Sequence, residues 1–238
     1  MASSILLQRT VNFGQQCLRN APLVGIGGFA NEPAFSIADW VRQFILGPPF
    51  SWRWNRVVTT FSTVQGTQSY TQALPSFGWI EKATVSDGTT TKELQVALNL
   101  ASDSVQNRPI SISPVLDDDS GNITFYLLPV PDKAYTVSVT YQKAAPVFAN
   151  LTDTWAPIPD YYYYLIETGF LAKSYEYNND ERFAPTMQMF VRQVLAANAG
   201  LADTQKNLYM EEFINSAREQ QAELGNSQAG RAGRGLFQ

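Results

Sequence analysis

Histidine is absent from this chain of 238 residues, and cysteine occurs once, as Cys17. Histidine is the usual general base near neutral pH and the commonest metal ligand, so its absence excludes Ser-His-Asp, Cys-His and Cys/His zinc sites. A single cysteine cannot form a disulfide within the chain. No spacing of residues combines a nucleophile, a base and a charge-stabilising group. We therefore predict that the protein is not an enzyme and holds no cofactor or metal.

Positive charge and long apolar runs are also scarce. The chain has 17 Lys and Arg against 21 Asp and Glu, whereas a surface that grips DNA is normally basic. Its longest apolar runs, such as Phe44–Leu46, are far shorter than the roughly 18 residues of a membrane-spanning helix, so we expect no membrane partner. Hydrophobic residues nevertheless make up 45% of the chain, which predicts a folded core.

Helical spacing of apolar residues occurs near both ends of the chain. At the N-terminal end it predicts a helix from Ser3 to Arg19 and a second one that begins at an N-cap, Ser36. After residue 159, Asp160 is the expected N-cap of a helix that runs to Tyr177. Asp180 is the expected N-cap of one long helix over about 181–222, with a break at Gly200 as the alternative.

The middle of the chain has the two-residue period of β-strands. Alternation from Tyr135 to Tyr141 is typical of a half-buried antiparallel strand. Frequent turn residues separate seven segments that we predict to be strands. These segments are 57–64, 69–74, 79–86, 93–98, 109–115, 123–128 and 135–142.

The order of helices, strands and helices predicts an α+β fold. We expect a helical bundle made from the N- and C-terminal helices, with an inserted antiparallel β-sandwich or barrel-like module. Residues 1–55 and 158–224 would form the two helical parts, and residues 56–157 the β module. Residues 225–238, rich in Gly, Ala, Ser and Arg, would form a flexible docking tail.

Two polar motifs have a functional and a structural interpretation. The run Asp117–Asn122 could bind Ca²⁺, but it lacks the later glutamate of a helix-flanked calcium loop, and these residue types also suit a hairpin turn. The run Gly25–Gly28 could cradle a phosphate, but the spacing of a phosphate-binding loop is missing, which favours a simple loop or hinge.

Aromatic clusters are the strongest candidates for contact with a partner. They could stack on nucleic-acid bases or a sugar, or they could pack in the core and between subunits, where tyrosine is enriched. The tryptophan pair could instead anchor the junction between a helix and a strand. We predict a subunit or partner interface at Trp52, Trp54, Tyr161, Tyr162, Tyr163 and Tyr164.

Several stretches of the chain form a recognisable series when they are taken in order. They are Gln68–Pro75, Phe77–Ile80, Asn122–Asp132, Tyr135–Tyr141, Ala156–Pro159 and Phe170–Ala172. This series resembles the head-to-tail adaptor proteins of tailed bacteriophages, also called connector or neck proteins, and especially those of short-tailed phages. The resemblance extends from about Trp40 to Phe213, and the segment before Phe35 departs from the shortest family members.

The resemblance implies a structural virion protein at the head–tail junction, assembled in the cytoplasm of a bacterial host. Such adaptors typically form a dodecameric ring below the portal protein, and double-stranded DNA passes through the lumen as cargo. Their partners are the portal and tail nozzle, tube or fibre proteins. C-terminal tails commonly dock on the portal, which by analogy assigns that role to Arg231, Arg234, Leu236 and Phe237.

Two other functions remain open from the sequence. The chain could be a different phage structural protein, such as a nozzle, a tail terminator or a minor capsid protein. It could also be a Ca²⁺- or carbohydrate-binding β module of a host-recognition protein. A glycosidase acting through carboxylates alone has no well-placed Asp/Glu pair to support it.

Overall fold

The computed structural model describes residues 3–18, 33–74, 76–97, 105–116, 121–198 and 204–211. The described helices are α1 (Leu7–Leu18), α2 (Pro33–Leu46), α3 (Tyr163–Tyr177) and α4 (Phe183–Ala197), with a short 3-10 helix at Asp160–Tyr162. The strands are β1 (Arg56–Ser62), β2 (Ser69–Ala73), β3 (Phe77–Ser86), β4 (Thr91–Val96), β5 (Ser111–Leu116), β6 (Asn122–Leu128) and β7 (Thr136–Lys143). The protein is therefore α+β, and each strand bound lies within two residues of its predicted place.

The described residues divide into two compact units. The β unit contains Arg42–Val147 and Ala156–Ile158, and the helical unit contains Ser4–Val41, Phe148–Trp155 and the chain from Pro159 onward. Helix α2 belongs to the helical unit up to Val41 and to the β unit from Arg42. Among the described residues, no helix is both long enough and apolar enough to cross a membrane.

The β unit is one seven-stranded sheet with the order β1-β7-β3-β4-β5-β6-β2. The sheet curls so far that its two edge strands, β1 and β2, approach each other. The ring centroids of Phe61 in β1 and Tyr70 in β2 are 5.3 Å apart. The Phe61 ring also stacks on Phe125, at 5.7 Å. Inward-facing residues such as Val137 and Val139 complete one buried core inside the curl. A sandwich of two sheets is not confirmed.

One strand pair corrects the prediction of an antiparallel module. Strands β4 and β5 run parallel, with Gln95 opposite Ser111 and Val96 opposite Ile112. Parallel neighbours need a connection of about a dozen residues, and the chain between Val96 and Ser111 is long enough to provide one.

The helical unit is organised around α3, which contacts both α1 and α4. Buried residues occur on every side of α3, including Leu165, Ile166 and Phe170, so this helix has no exposed polar face along most of its length. Gly169 allows the closest approach. A Cβ atom there would lie 2.7 Å from the Phe190 ring and 2.9 Å from a Val41 methyl group.

Three predicted helix N-caps are corrected. Helix α2 begins at Pro33, so Ser36 lies inside it; proline suits a first helical position because it has no N–H to leave unpaired. Asp160 opens the 3-10 helix and accepts hydrogen bonds from the backbone N–H and hydroxyl of Ser4. The N-cap of α4 is Arg182, whose backbone N–H donates to the Asp180 carboxylate.

The long helix over 181–222 is also wrong. Helix α4 ends at Ala197, and Asn198 has an extended backbone with φ −85° and ψ 104°. Residues 204–211 are helical again. The helical spacing of apolar residues in the sequence therefore continues beyond Ala197, although the helix itself ends there.

Candidate interaction surfaces

The four consecutive tyrosines at the start of α3 have different environments. Tyr161 is 67% exposed and Tyr164 is 43% exposed, whereas Tyr163 is buried and Tyr162 is half-buried. The ring centroids of Tyr161 and Tyr162 are 4.3 Å apart, and those of Tyr162 and Tyr164 are 6.4 Å apart. Tyr161 and Tyr164 are consequently the members of this run whose side chains are most exposed, and the predicted partner interface stays a prediction.

Hydrogen bonds fix this tyrosine run beside the start of α1. The Asp160 carboxylate accepts from the Ser4 hydroxyl at 2.6 Å and from its backbone N–H at 3.0 Å. The indole N–H of the fully buried Trp155 donates to the Thr10 hydroxyl at 2.9 Å. The backbone N–H of Trp155 donates to Ile5. The start of α1 and the segment before α3 therefore form one fixed surface within the helical unit.

A groove of about 600 Å³ lies on this surface, between α1 and α3. Leu6, 41% exposed, and the half-buried Phe13 supply apolar lining. The Arg9 guanidinium lies over the Tyr163 ring, 4.6 Å from its centroid, which is a cation–π contact. Burial raises the pKa of Tyr163, and the neighbouring Glu167 carboxylate adds to that effect. The groove thus combines apolar contact area with one cation and one anion.

A second open surface lies on α4. Its outer side carries Pro185, Met189, Arg192 and Ala196 at helical intervals, and together with Gln188 and Gln193 they line a shallow depression of about 550 Å³. Met189 is 48% exposed. We name this set of six residues the α4 outer face. Sequence reasoning missed it, although the intervals of four, three and four residues were a readable signal of a second helical stripe.

Trp52 and Trp54 lie in the β unit, with ring centroids 5.4 Å apart. Trp52 is buried, and its indole N–H donates to the Ile45 carbonyl at 2.7 Å. The Trp79 indole similarly donates to the Leu46 carbonyl at 3.1 Å. Carbonyls in the last turn of a helix lack helical partners, so these two indoles cap the end of α2. This geometry favours the anchoring role of Trp52, while Trp54 is half-buried.

Gln142 adds to this junction from the sheet. Its buried side-chain amide accepts from the Trp52 backbone N–H and donates to the Trp52 carbonyl and to Glu81. Glu81 also receives the Arg56 guanidinium in an ion pair. The residues after α2 are thereby held to strands β3 and β7. Each of these polar groups has a hydrogen-bonding partner at the junction, and the network holds the segment after α2 in place.

The turn between β3 and β4 holds the most perturbed carboxylate of the β unit. Backbone N–H groups of Thr90 and Thr89 donate to Asp87 and lower its pKa to about 2. Arg108 lies nearby and donates to the Val85 and Thr90 carbonyls at 2.8 Å. These contacts hold the turn between β3 and β4, and Arg108 ties it to the segment that precedes β5.

Several predicted sites lie outside the described residues. They are the tail residues Arg231, Arg234, Leu236 and Phe237, the glycine run Gly25–Gly28 and the acidic residues Asp117–Asp119. Within the described ranges, no three His, Cys, Asp or Glu side chains come together as metal ligands. The tail, the calcium interpretation and the phosphate interpretation stay predictions.

Comparison with known families gives one strong result. The family model described as SU10 adaptor protein matches residues 21–223, which is most of the chain. No curated protein matches the chain. The matched range includes the described β unit from Arg42 onward and the described helical unit apart from Ser4–Leu18, and it extends beyond the stretch whose sequence pattern resembled adaptors. An adaptor contacts other head or tail proteins and is a component of the virion. This chain therefore belongs to the SU10 adaptor protein family and is a structural adaptor protein of a bacteriophage.

Proposed function

We propose that the chain forms a ring, with twelve subunits, that joins the portal vertex of the phage head to the tail and lets DNA pass through its lumen. The observation that carries this proposal is the family match over residues 21–223. Two open surfaces on the helical unit, the α1–α3 groove and the α4 outer face, support it because a ring subunit needs large contacts with its neighbours. We also propose that the N- and C-terminal helices form one helical bundle.

The charge of the chain is compatible with a channel for DNA. A formal net charge of -4 per subunit, repeated around a ring, would repel the phosphate backbone and keep the genome mobile. In this proposal the β unit contacts tail nozzle, tube or fibre proteins, and the phage is short-tailed. The protein does no chemistry.

Residues 225–238 would dock on the portal, with Leu236 and Phe237 as apolar anchors and Arg231 and Arg234 as flanking cations. A segment that becomes ordered only on binding loses conformational entropy at that moment, so its few anchors must supply much of the affinity. Two charges alone would give little affinity for DNA. A protein partner is the better fit for this composition.

The direct test mixes the purified protein with purified portal and images the complex by electron microscopy. We expect a ring directly below the portal; density at any other position would contradict the adaptor role in this form. A shortened chain, residues 1–224, should lose portal binding.

A matched pair of full-length variants separates anchoring from a change in tail charge. Leu236→Asp with Phe237→Asp should lose portal binding, whereas Ser227→Asp with Gln228→Asp should keep it. Normal assembly of the shortened chain or of the first variant would show that the tail has a different role.

A further inference from the structure

The N-terminal segment, residues 3–18, is held by backbone hydrogen bonds to a stretch far along the chain. The backbone N–H groups of Leu7 and Gln8 donate to the carbonyls of Asp153 and Leu151, at 2.8 and 2.9 Å. The first N–H groups of a helix have no partner within that helix, so residues outside the segment satisfy the start of α1. A helix of 12 residues is marginal in water by itself. We therefore expect α1 to depend on this contact for its helical form.

The side chains of α1 divide into a buried side and an exposed side. The buried residues follow helical spacing, and α1 contacts α3. They are Leu7, Thr10, Val11 and Gly14. Asn12 and Gln16, by contrast, are exposed. This is the arrangement by which an amphipathic helix binds in a groove of its partner.

The residues that receive the N-terminal segment are fixed by other contacts of the helical unit. The backbone N–H of Phe148 donates to the Asp39 carboxylate at 2.9 Å, and the ring centroids of Phe148 and Trp155 are 4.9 Å apart. The Asp153 carboxylate accepts from the backbone N–H groups of residues 149 and 150. Helix α3 also packs against α4. The receiving surface thus takes its shape from contacts that do not involve the N-terminal segment.

The family match separates the N-terminal segment from the surface that receives it. The matched range begins at residue 21, so it leaves out the segment and includes residues 151–163 and all of α3. The buried Trp155 indole N–H donates to Thr10 of the segment, and the Ser4 hydroxyl of the segment donates to the Asp160 carboxylate. The matched part of the chain therefore presents polar groups and apolar area whose partners lie outside the match.

We propose that residues 151–163 and α3 form a docking site that binds the N-terminal segment through noncovalent contacts alone. The segment folds into α1 as it docks, and the site keeps its shape when the segment leaves. This contact goes beyond the proposed ring, since a single copy makes it. Residues 3–18 of a second copy offer the same groups, so neighbouring copies are able to exchange the segment.

The first test cuts the covalent connection in the folded full chain. A specific protease site takes the place of residues 22–28, and the protein is cleaved after it has folded. We expect the N-terminal fragment to stay bound during gel filtration. A labelled synthetic peptide of residues 1–20, at micromolar concentration, should replace the fragment in the cut protein. It should not enter the uncut protein, where the linked segment has an effective concentration on the order of mM.

Two variant peptides test which side of α1 binds. Val11→Asp places a carboxylate at a position that is 1% exposed, and it should weaken peptide binding by about a hundredfold or more. Asn12→Asp adds the same charge at the next position, which is exposed, and should bind within about twofold of the unchanged peptide.

The same two substitutions in the uncut full chain test whether the site keeps its shape without the segment. Val11→Asp should speed amide hydrogen exchange in residues 5–18 by about a hundredfold or more, while α3 and α4 stay protected. Asn12→Asp should leave the exchange rates unchanged. This measurement needs no inserted protease site, so it decides the proposal even if the insertion disturbs folding.

Three results would overturn the proposal. Separate elution of the fragment after cleavage would show that the covalent connection is required. Equal binding of the two variant peptides would show that the buried side of α1 does not make the contact. Loss of protection in α3 and α4 of Val11→Asp would show that the site does not hold its shape without the segment. None of these measurements involves portal, so failure of the proposed ring is a separate result.

Discussion

The two units expose apolar side chains of different kinds. In the described part of the β unit the large exposed apolar residues are all valine or isoleucine, and two of them, Val58 and Val96, lie in strands β1 and β4. In the helical unit they include Tyr161, Tyr164 and Met189. Valine and isoleucine are favoured in strands whether or not a partner covers them, since they fit the pleated backbone. Exposed tyrosine and methionine on helices have no such local explanation, and both are typical of interfaces.

The two units contribute differently to stability and to assembly. The curl of the sheet encloses one buried core that contains five aromatic residues of the β unit, Phe61, Tyr70, Phe125, Tyr135 and Tyr141. In the helical unit α3 is enclosed, whereas α1 and α4 each keep an open side. Stability should therefore depend on buried rings in both units, and assembly should depend on exposed rings of the helical unit.

The largest expected effect distinguishes a buried ring from an exposed one. Phe125→Ala removes a fully buried ring that packs on Phe61 and Phe77, and it should lower the free energy of unfolding by about 3–5 kcal/mol. Tyr161→Ala, at an exposed ring, should change it by no more than about 0.5 kcal/mol. Chemical denaturation followed by tryptophan fluorescence measures both. A fall of more than about 2 kcal/mol in the free energy of unfolding of Tyr161→Ala would contradict the distinction between buried and exposed rings.

The next effect concerns the enclosure of α3. Gly169→Ala should destabilise the protein by about 1–3 kcal/mol, because the new methyl group would overlap the buried Phe190 ring and Val41. Helix propensity alone predicts the opposite sign, since alanine is favoured over glycine by about 1 kcal/mol within a helix. Thermal unfolding of the variant and of Gly169→Ala with Phe190→Leu provides the check. A more stable single variant would mean that α3 is not tightly enclosed.

A smaller effect tests the hydrogen bond that fixes α1. Thr10→Val should cost about 1–2 kcal/mol, because it removes the acceptor of the buried Trp155 indole N–H. Trp155→Phe removes the donor. The two changes together should cost less than the sum of the single costs, as measured by a double-mutant cycle in urea. Simple additivity would indicate that the bond contributes nothing.

The smallest effect is a pH dependence in the β unit. The pKa of Asp87 is lowered to about 2, so its stabilising contribution is complete above the ordinary carboxyl pKa and is lost as the pH falls through about 2. Melting temperatures between pH 7 and pH 2 should fall more steeply for wild type than for Asp87→Asn. Parallel curves would show that the turn contacts of Asp87 do not survive in solution.

Local sequence pattern was sufficient for the strands and insufficient for the helix ends. Alternation and turn residues are properties of neighbouring positions, and they placed even β2, which has five residues. Asp160 looked like an N-cap, but its carboxylate is bound by Ser4, 156 positions earlier in the chain. Asn198 ends α4 within an unbroken apolar stripe, two positions before Gly200, where glycine disfavours a helix.

The candidate surfaces show the same limit. The tyrosine run was visible in the sequence, but which ring is exposed depends on how α1 packs beside α3. The groove could not be predicted, because its lining combines residues 4–16 with Tyr163 and Glu167. Trp52 illustrates the converse, since a tryptophan that suggested a partner is used to cap α2 within the chain.

The most direct measurement is a side-chain-resolution map of the chain assembled on its portal. The account predicts a closed ring directly below the portal, in which the exposed rings of Tyr161 and Tyr164 are covered by another subunit. A map in which both rings stay open to solvent would contradict the account.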